Sequence, residues 1–260
     1  MDDNKTLLLN NIRPHHCLLI LTSAKGLELY VDGNTMNIPP NSLVFIEKYM
    51  LLNVRFHYGN CPKVVSIDDS IMRFIFNFLL DIFDYKSIDS MSNSRIYFRQ
   101  AVLEDKYLFA RLKKHIDEDA STKATKTTIA SIVPIALYFF IEFDLNIIRT
   151  ISRVVKPTTT DKVLEILSRD LSKSWKLQMI SEEMFMSEIS LRKRLENEGT
   201  TFMKVLTNAR MMYSLKLLTM TDYNINIIAS KVSYSSTSYF IRTFKQHFGI
   251  TPKQIIPALQ

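Results

Sequence analysis

The apolar residues of this chain change their spacing, and the change falls at one place. Up to residue 66 they come in short runs rich in Val, Ile, Leu and Phe; after residue 160 they recur every third and fourth position. Between the two regimes lies "VVKPTTTD", residues 154–161. Pro157 disfavours helix at Lys156, and any of the threonines or Asp161 can cap the helix that follows. A chain broken in this way is expected to form an α+β unit over 1–155 and an all-α unit over 160–260.

The first unit reads as six strands, "CLLILTS", "LELYVDG", "TMNIPP", "SLVFIEK", "LLNVRFHY" and "KVVSID". Turn signals such as Asp32-Gly33-Asn34 and Pro39-Pro40-Asn41-Ser42 separate them. That pattern predicts a small antiparallel barrel or sandwich. Residues 68–86 turn helical, with Ile71, Ile75, Phe78, Leu79, Ile82 and Phe83 at helical spacing, and helices are predicted over 104–117 and 129–153. The apolar faces of 71–83 and 129–148 have two readings, burial against the strands or contact with a second copy in a homodimer.

Composition narrows the class. Hydrophobic residues make up 47% of the 260, enough for packed cores, and no run of about 18 apolar residues is present. The opening "MDDNKT" lacks the basic and apolar stretches of a secretory signal, so the expectation is a cytoplasmic protein with Cys17 and Cys61 as thiols and no membrane partner. Residues 189–260 carry 10 Lys and Arg against 3 Asp and Glu. A basic region so confined fits a polyanion partner.

Two segments inside that region share a design. In "LQMISEEMFMSEISLRKRLENEG" a first helix packs Ile180 and Met184 inward, the chain turns at Phe185-Met186, and a second helix opens at Ser187. There Leu191 and Leu195 share one side, with Ile189, Arg192, Lys193 and Glu196 opposite. In "NINIIASKVSYSSTSYFIRTFKQHFG" the first helix turns Ile225, Ile228, Ala229 and Val232 inward. The second seats Phe240, Phe244 and His247 and leaves Ser238, Arg242 and Lys245 outside. This is the arrangement of a helix-turn-helix, whose second helix enters the major groove. The intervening 200–220 segment, as a helix, spans roughly 30 Å, close to the ~34 Å of one DNA turn.

The stretch "IASKVSYSSTSYFIRTFKQHFGITPKQ" resembles the signature of the AraC/XylS transcription regulators. Ile228, Ala229, Tyr234, Ser238, Tyr239, Phe240, Arg242, Phe244, Lys245, Gly249, Thr251 and Pro252 match it. Ser233 departs from it by standing where glycine is usual, and "QIIPALQ" lacks the usual close. The resemblance implies an α+β chain with a cupin-like N-terminal β-barrel plus helices, and a C-terminal all-α domain with two helix-turn-helix motifs joined by a linker helix. By position it places Ile189, Arg192, Lys193, Thr237, Ser238 and Arg242 at the DNA groove. Arg192 and Arg242 are the candidates for base edges, while Lys204 and Lys245 are read as phosphate contacts.

The phrasing of the chain is similar to a branch of enteric virulence regulators. That likeness implies activation of virulence or adhesin promoters, with promoter DNA and RNA polymerase as partners. It also implies no cofactor beyond a possible small effector, a fatty acid or bicarbonate, near the domain junction, with His15, His16 and Arg55 as candidate contacts. Asn224 stands where some relatives carry a basic residue toward an acidic ligand. No metal set accompanies His15-His16-Cys17, and no nucleophile elbow or phosphate loop supports an enzyme. The alternative reading is a co-regulator or anti-activator with degenerate DNA binding, motivated by Ser233.

Overall fold

The computed structural model describes residues 5–82, 93–119, 126–143 and 146–259. All six expected strands are present, as β2 (Cys17–Leu21), β3 (Leu27–Val31), β4 (Asn34–Ile38), β5 (Ser42–Ile46), β6 (Leu52–His57) and β7 (Lys63–Ile67). Two more, β1 (Thr6–Ile12) and β8 (Ile96–Gln100), join them. They pair antiparallel into two four-stranded sheets, ordered β1-β6-β3-β4 and β7-β2-β5-β8. The α+β class holds, but the strands form two stacked sheets rather than one closed barrel. Each sheet keeps its own edge strands, with no ladder joining β1 or β4 to β7 or β8 among the described residues.

The central strands β2 and β5 are buried along their whole length. Their side chains alternate between two cores, as a period of two requires. Leu18, Ile20, Val44 and Ile46 face the first sheet. Cys17, Leu19, Leu21, Leu43 and Phe45 face a layer of helices. That layer comprises α1 (Asp69–Ile82), α2 (Leu103–Asp119), α3 (Lys126–Ile141) and α4 (Ile147–Val154). The stretch expected as one helix over 129–153 is thus two, α3 and α4, and residues 83–86 and 144–145 of the expected helices lie outside the described residues. Ile71, Ile75 and Leu79 of α1 and Ile132, Ile135 and Phe139 of α3 are buried within the chain's own core, while Phe74 and Phe78 of α1 and Ile141 of α3 stay exposed.

Beyond the break the chain is helical: α5 (Thr159–Ser168), α6 (Leu177–Glu183), α7 (Glu188–Asn197), α8 (Phe202–Met220), α9 (Ile225–Lys231), α10 (Thr237–Phe248) and α11 (Pro252–Leu259). Thr158 caps α5. Its hydroxyl accepts from Asp161 N–H at 3.0 Å, and Asp161 accepts from Thr158 N–H at 2.8 Å. This reciprocal box is how "PTTTD" starts the helix. A third core forms around α5, α6, α7 and the first half of α8. The last helices do not make a fourth. Phe240, Phe244, Phe248, Ile228 and Ile255 join the same cluster as the inter-sheet residues Leu7, Leu29 and Phe56. No helix among the described residues is long and apolar enough to cross a membrane.

Candidate nucleic-acid interface

The first helix-turn-helix is α6 and α7. Ile180, Leu191 and Leu195 are fully buried beside Val163, Leu167 and Val205. The Ser187 hydroxyl accepts from Ser190 N–H at 3.2 Å and caps α7. With Leu191 and Leu195 inward, helical geometry leaves Ile189, Arg192 and Lys193 in solvent. None of these, nor Lys204, Arg242 or Lys245, pairs with a carboxylate among the described residues.

The second is α9 and α10. Ser236 caps α10 by accepting from Tyr239 N–H at 3.3 Å. Phe240, Phe244 and Phe248 are buried, each worth about 1.5–3 kcal/mol of transfer free energy. The third seat therefore belongs to Phe248, one position on from the expected His247, which is only half-buried. The 4.6 Å spacing of the Phe244 and Phe248 rings reflects their four-residue separation on one stripe. Ser238, Arg242 and Lys245 are exposed, and Thr237 is half-buried at the first turn. The Arg242 guanidinium lies 5.1 Å from the Tyr239 ring centroid, which orients it without neutralising it.

The two turns are built alike. Phe185 and Ser233 both adopt left-handed backbone, φ 53° and 63°. Phe185 N–H donates to Glu182 O and Met186 N–H to Ser181 O; Ser233 N–H donates to Ser230 O and Tyr234 N–H to Ala229 O. Both sets follow the 5→2 and 6→1 pattern that closes a helix through a left-handed residue. Ser233 takes the conformation glycine would supply, so the departure strains the turn without reshaping it. Asn224 serves its own helix, because its side chain accepts from Ile227 N–H at 3.0 Å and caps α9.

One uninterrupted helix, α8, joins the motifs. Its 19 residues span about 28 Å. Its first half, Phe202, Val205 and Leu206, belongs to the core of the first motif. Its second half, Met211, Leu217 and Leu218, belongs to the core shared by the second motif and the sheets. Lys204 stands exposed in its first turn.

The N-terminal sheets hold the second motif directly. The β1 ladder slips between Leu9 and Ile12, and Asn11 in this bulge takes φ 53°. Asn11 N–H donates to Asn53 Oδ1 at 2.9 Å, while its Nδ2 donates to His247 O at 2.8 Å. Gly249 ends α10 with φ 81°, and a Cβ there would meet Asn10 Nδ2 at 2.3 Å. Glycine is favoured there for its left-handed conformation, and its lack of a Cβ leaves room for the Asn10 side chain of β1.

The first motif is held differently. Lys48 Nζ, buried in its side chain, donates to Asp69 Oδ2 at 2.7 Å and to Asp161 Oδ1 at 2.8 Å. Tyr49 OH donates to the same Asp161 oxygen. Burial opposes the Asp161 charge, but hydrogen bonds from Lys48, Tyr49 and Thr158 N–H outweigh it and hold the carboxyl below its usual range. Burial likewise opposes the Lys48 charge, and its bonds to Asp161 and Asp69 raise it above the ordinary lysine value. At the other side of α5, Glu198 accepts from Thr159 N–H at 2.6 Å and from Thr160 N–H at 2.9 Å. Glu198 is the C-cap of α7. A polar chain thus runs from the sheets through the α5 N-terminus to the first recognition helix. Sequence reasoning missed it, although a lysine inside the apolar run "SLVFIEKYML" signals a buried partner.

The three candidate effector residues do not share a site. His15 is half-buried at the junction, its ring 6.4 Å from that of Tyr49 and its Nε2 3.4 Å from Asn208 Nδ2 of α8. Asn208 also donates to Arg13 O at 3.0 Å. Burial, reinforced by His16 and Arg13, lowers the His15 pKa to about 3, against the pull of Asp161. His16 is half-exposed with Nδ1 3.7 Å from Asp69 Oδ1. Arg55 belongs elsewhere: its Nη1 donates to Glu28 Oε2 at 2.9 Å, beside a shallow cavity of about 210 Å³ lined by Thr6, Lys25, Asn37 and His57. Among the described residues no group of three or more His, Cys, Asp or Glu is placed to hold a metal.

A model of the helix-turn-helix domain matches residues 180–256. The chain is 30% identical to the transcriptional activator AggR of Escherichia coli, over 98% of this chain and 95% of that protein. It is 32% identical to the DNA-binding dual transcriptional regulator Rns of E. coli, over 97% and 95%. It is 26% identical to the virulence regulon transcriptional activator VirF of Shigella flexneri, over 94% and 92%. Among solved structures, ToxT of Vibrio cholerae superposes with a TM-score of 0.69 at 17% identity, over 100% of this chain and 97% of that one, a likeness of fold. With near-complete coverage at 30% identity or more and the helix-turn-helix pair in place, the chain belongs to the AraC/XylS family of transcription regulators, beside the enteric virulence activators.

Proposed function

We propose that this chain binds promoter DNA sequence-specifically through α7 and α10 and activates transcription of virulence genes. The observation that carries the reading is the duplication itself: two capped recognition helices, each with a buried apolar side and unpaired cations outside, on one rod about 28 Å long. Arg192 and Arg242 read base edges with Ile189, Lys193, Thr237 and Ser238 beside them, and Lys204 and Lys245 hold phosphates. The chain works as a 1–155 regulatory domain and a 160–260 DNA-binding domain. Activation follows the names of the relatives AggR and VirF, with RNA polymerase as the partner and a homodimer as the working form. Ser233, which motivated a degenerate DNA-binding reading, keeps its turn in the same geometry as the first motif, so nothing favours that alternative.

A small acidic effector, a fatty acid or bicarbonate, acts at the junction. ToxT structures contain an unsaturated fatty acid and a butenoic acid ligand. Here His15 Nδ1 is buried with no hydrogen-bond partner among the described residues, which makes His15 the strongest of the three candidates. The test is selection of duplexes from a random pool, with and without fatty acid or bicarbonate. A shared motif is the expected result, with binding that weakens steeply as salt rises. Equal binding to every duplex at 0.15 M salt would refute the reading.

A further inference from the structure

Phe185 is the most exposed large apolar side chain described, at 97%, and it sits in left-handed backbone. Both features are unfavourable for phenylalanine. A bulky residue at positive φ is a backbone outlier, and a ring in water gains nothing from folding. The second motif is an internal control. Its turn makes the same pair of hydrogen bonds from the same backbone conformation with Ser233 at the equivalent place. The turn therefore needs a left-handed residue and does not need an aromatic ring. An outlier unexplained by packing points to function.

Its place in the chain says which function. Ser187 caps α7; Phe185 lies two residues before that cap, and Ile189, 81% exposed, two residues after it. Recognition helices enter the groove with their N-terminal residues. The only base-edge group in the major groove that is apolar is the thymine methyl, and phenyl and aliphatic side chains are its partners.

Resting on the DNA-binding reading above, we propose that Phe185 is a specificity residue. With Ile189 it forms an apolar surface that packs on thymine methyl groups where α7 enters the major groove. The Arg192 and Lys193 cations beyond Ile189 on the same helix continue that surface toward polar base edges and phosphates.

The test uses the full chain, the duplex it selects from a random pool, and copies of that duplex with single thymines replaced by deoxyuridine. F185G supplies the residue the backbone favours, so its melting temperature is expected unchanged or raised. Its affinity for the selected duplex falls about fourfold for each thymine methyl the ring would have covered, while binding to mixed-sequence DNA is unchanged. At one or more thymines, removing the methyl weakens the wild type and not F185G. F185N, whose side chain also tolerates positive φ, behaves as F185G does. The proposal is overturned if F185G binds the selected duplex as the wild type does. It is overturned equally if both proteins feel the same deoxyuridine penalties at every position. Wild-type DNA binding with lost promoter output would give the ring to a protein partner instead. If the wild type selects no sequence at all, the DNA-binding reading itself falls, and this inference with it.

Discussion

Lys48 Nζ stands 2.8 Å from Asp161 Oδ1, and the two residues lie on opposite sides of Pro157 in the chain. The lysine is 4% exposed and the aspartate 14%. Two carboxylates, Asp69 and Asp161, converge on the one ammonium. Charges so placed tie the end of β5 to the start of α5, because a shift leaves one of them desolvated and unpaired.

Replacing Lys48 with methionine therefore strands two carboxylates. The expected loss is about 3–5 kcal/mol, read as a fall in the midpoint of chemical denaturation. K48M/D161N should recover part of it, since the neutral amide removes one orphaned charge. A change under about 1 kcal/mol in K48M would mean that the ion pair contributes nothing to docking.

His15 predicts an acid-side instability. Its native pKa is about 3, against about 6.5 for an ordinary histidine. Between those values the unfolded chain holds a proton that the folded chain refuses, so stability rises with pH across the window and falls on acidification. The slope contributed is about 1.4 kcal/mol per pH unit. Denaturation measured from pH 7 down to pH 4 should show this slope in the wild type and a shallower one in H15Q. The Asp161 carboxylate, held below its usual range, adds its own loss only below about pH 4.

Base contacts and phosphate contacts separate by salt and by sequence. R192A should lose about 1–3 kcal/mol of discrimination at one operator position. K204A should weaken all duplexes alike and reduce the salt slope by about 0.9. Titrations at several salt concentrations against matched and mismatched duplexes decide both. A uniform loss in R192A would move that residue to the backbone class.

Ser233 offers a stabilising change. S233G relieves the positive φ and should raise stability by up to about 1 kcal/mol with DNA affinity retained. Differential scanning calorimetry beside a binding titration checks both halves. A fall in melting temperature would mean that the serine side chain contributes more than its backbone strain removes.

Much of the fold is legible in the sequence because local chemistry fixes it. The unbroken apolar runs in "CLLILTS" and "SLVFIEK" mark strands covered on both faces, and "PTTTD" dictates the α5 cap. The buried stripe of α10 ends one residue away from where spacing puts it, because His247 and Phe248 both lie near the inner face and only packing selects the ring. β1 is obscured by Asn10 and Asn11, which form a bulge that reaches a residue 236 positions away. Lys48 and Glu198 act across 113 and 38 residues, beyond what periodicity or spacing can reveal. The base-contact candidates on α7 and α10 are legible as outward positions, while the turn residue Phe185 stands outside any helical pattern.

The single rod α8 is rooted at its two ends in unlike surroundings. One helix-turn-helix shares its oily interior with the two sheets, so any change in their packing reaches α10 through side chains in direct contact. The other reaches that half of the molecule through polar contacts, Lys48 to Asp161 and, from α8 itself, Asn208 to Arg13 O. A disturbance between the sheets therefore bears on the α10 end of the rod more directly than on the α7 end.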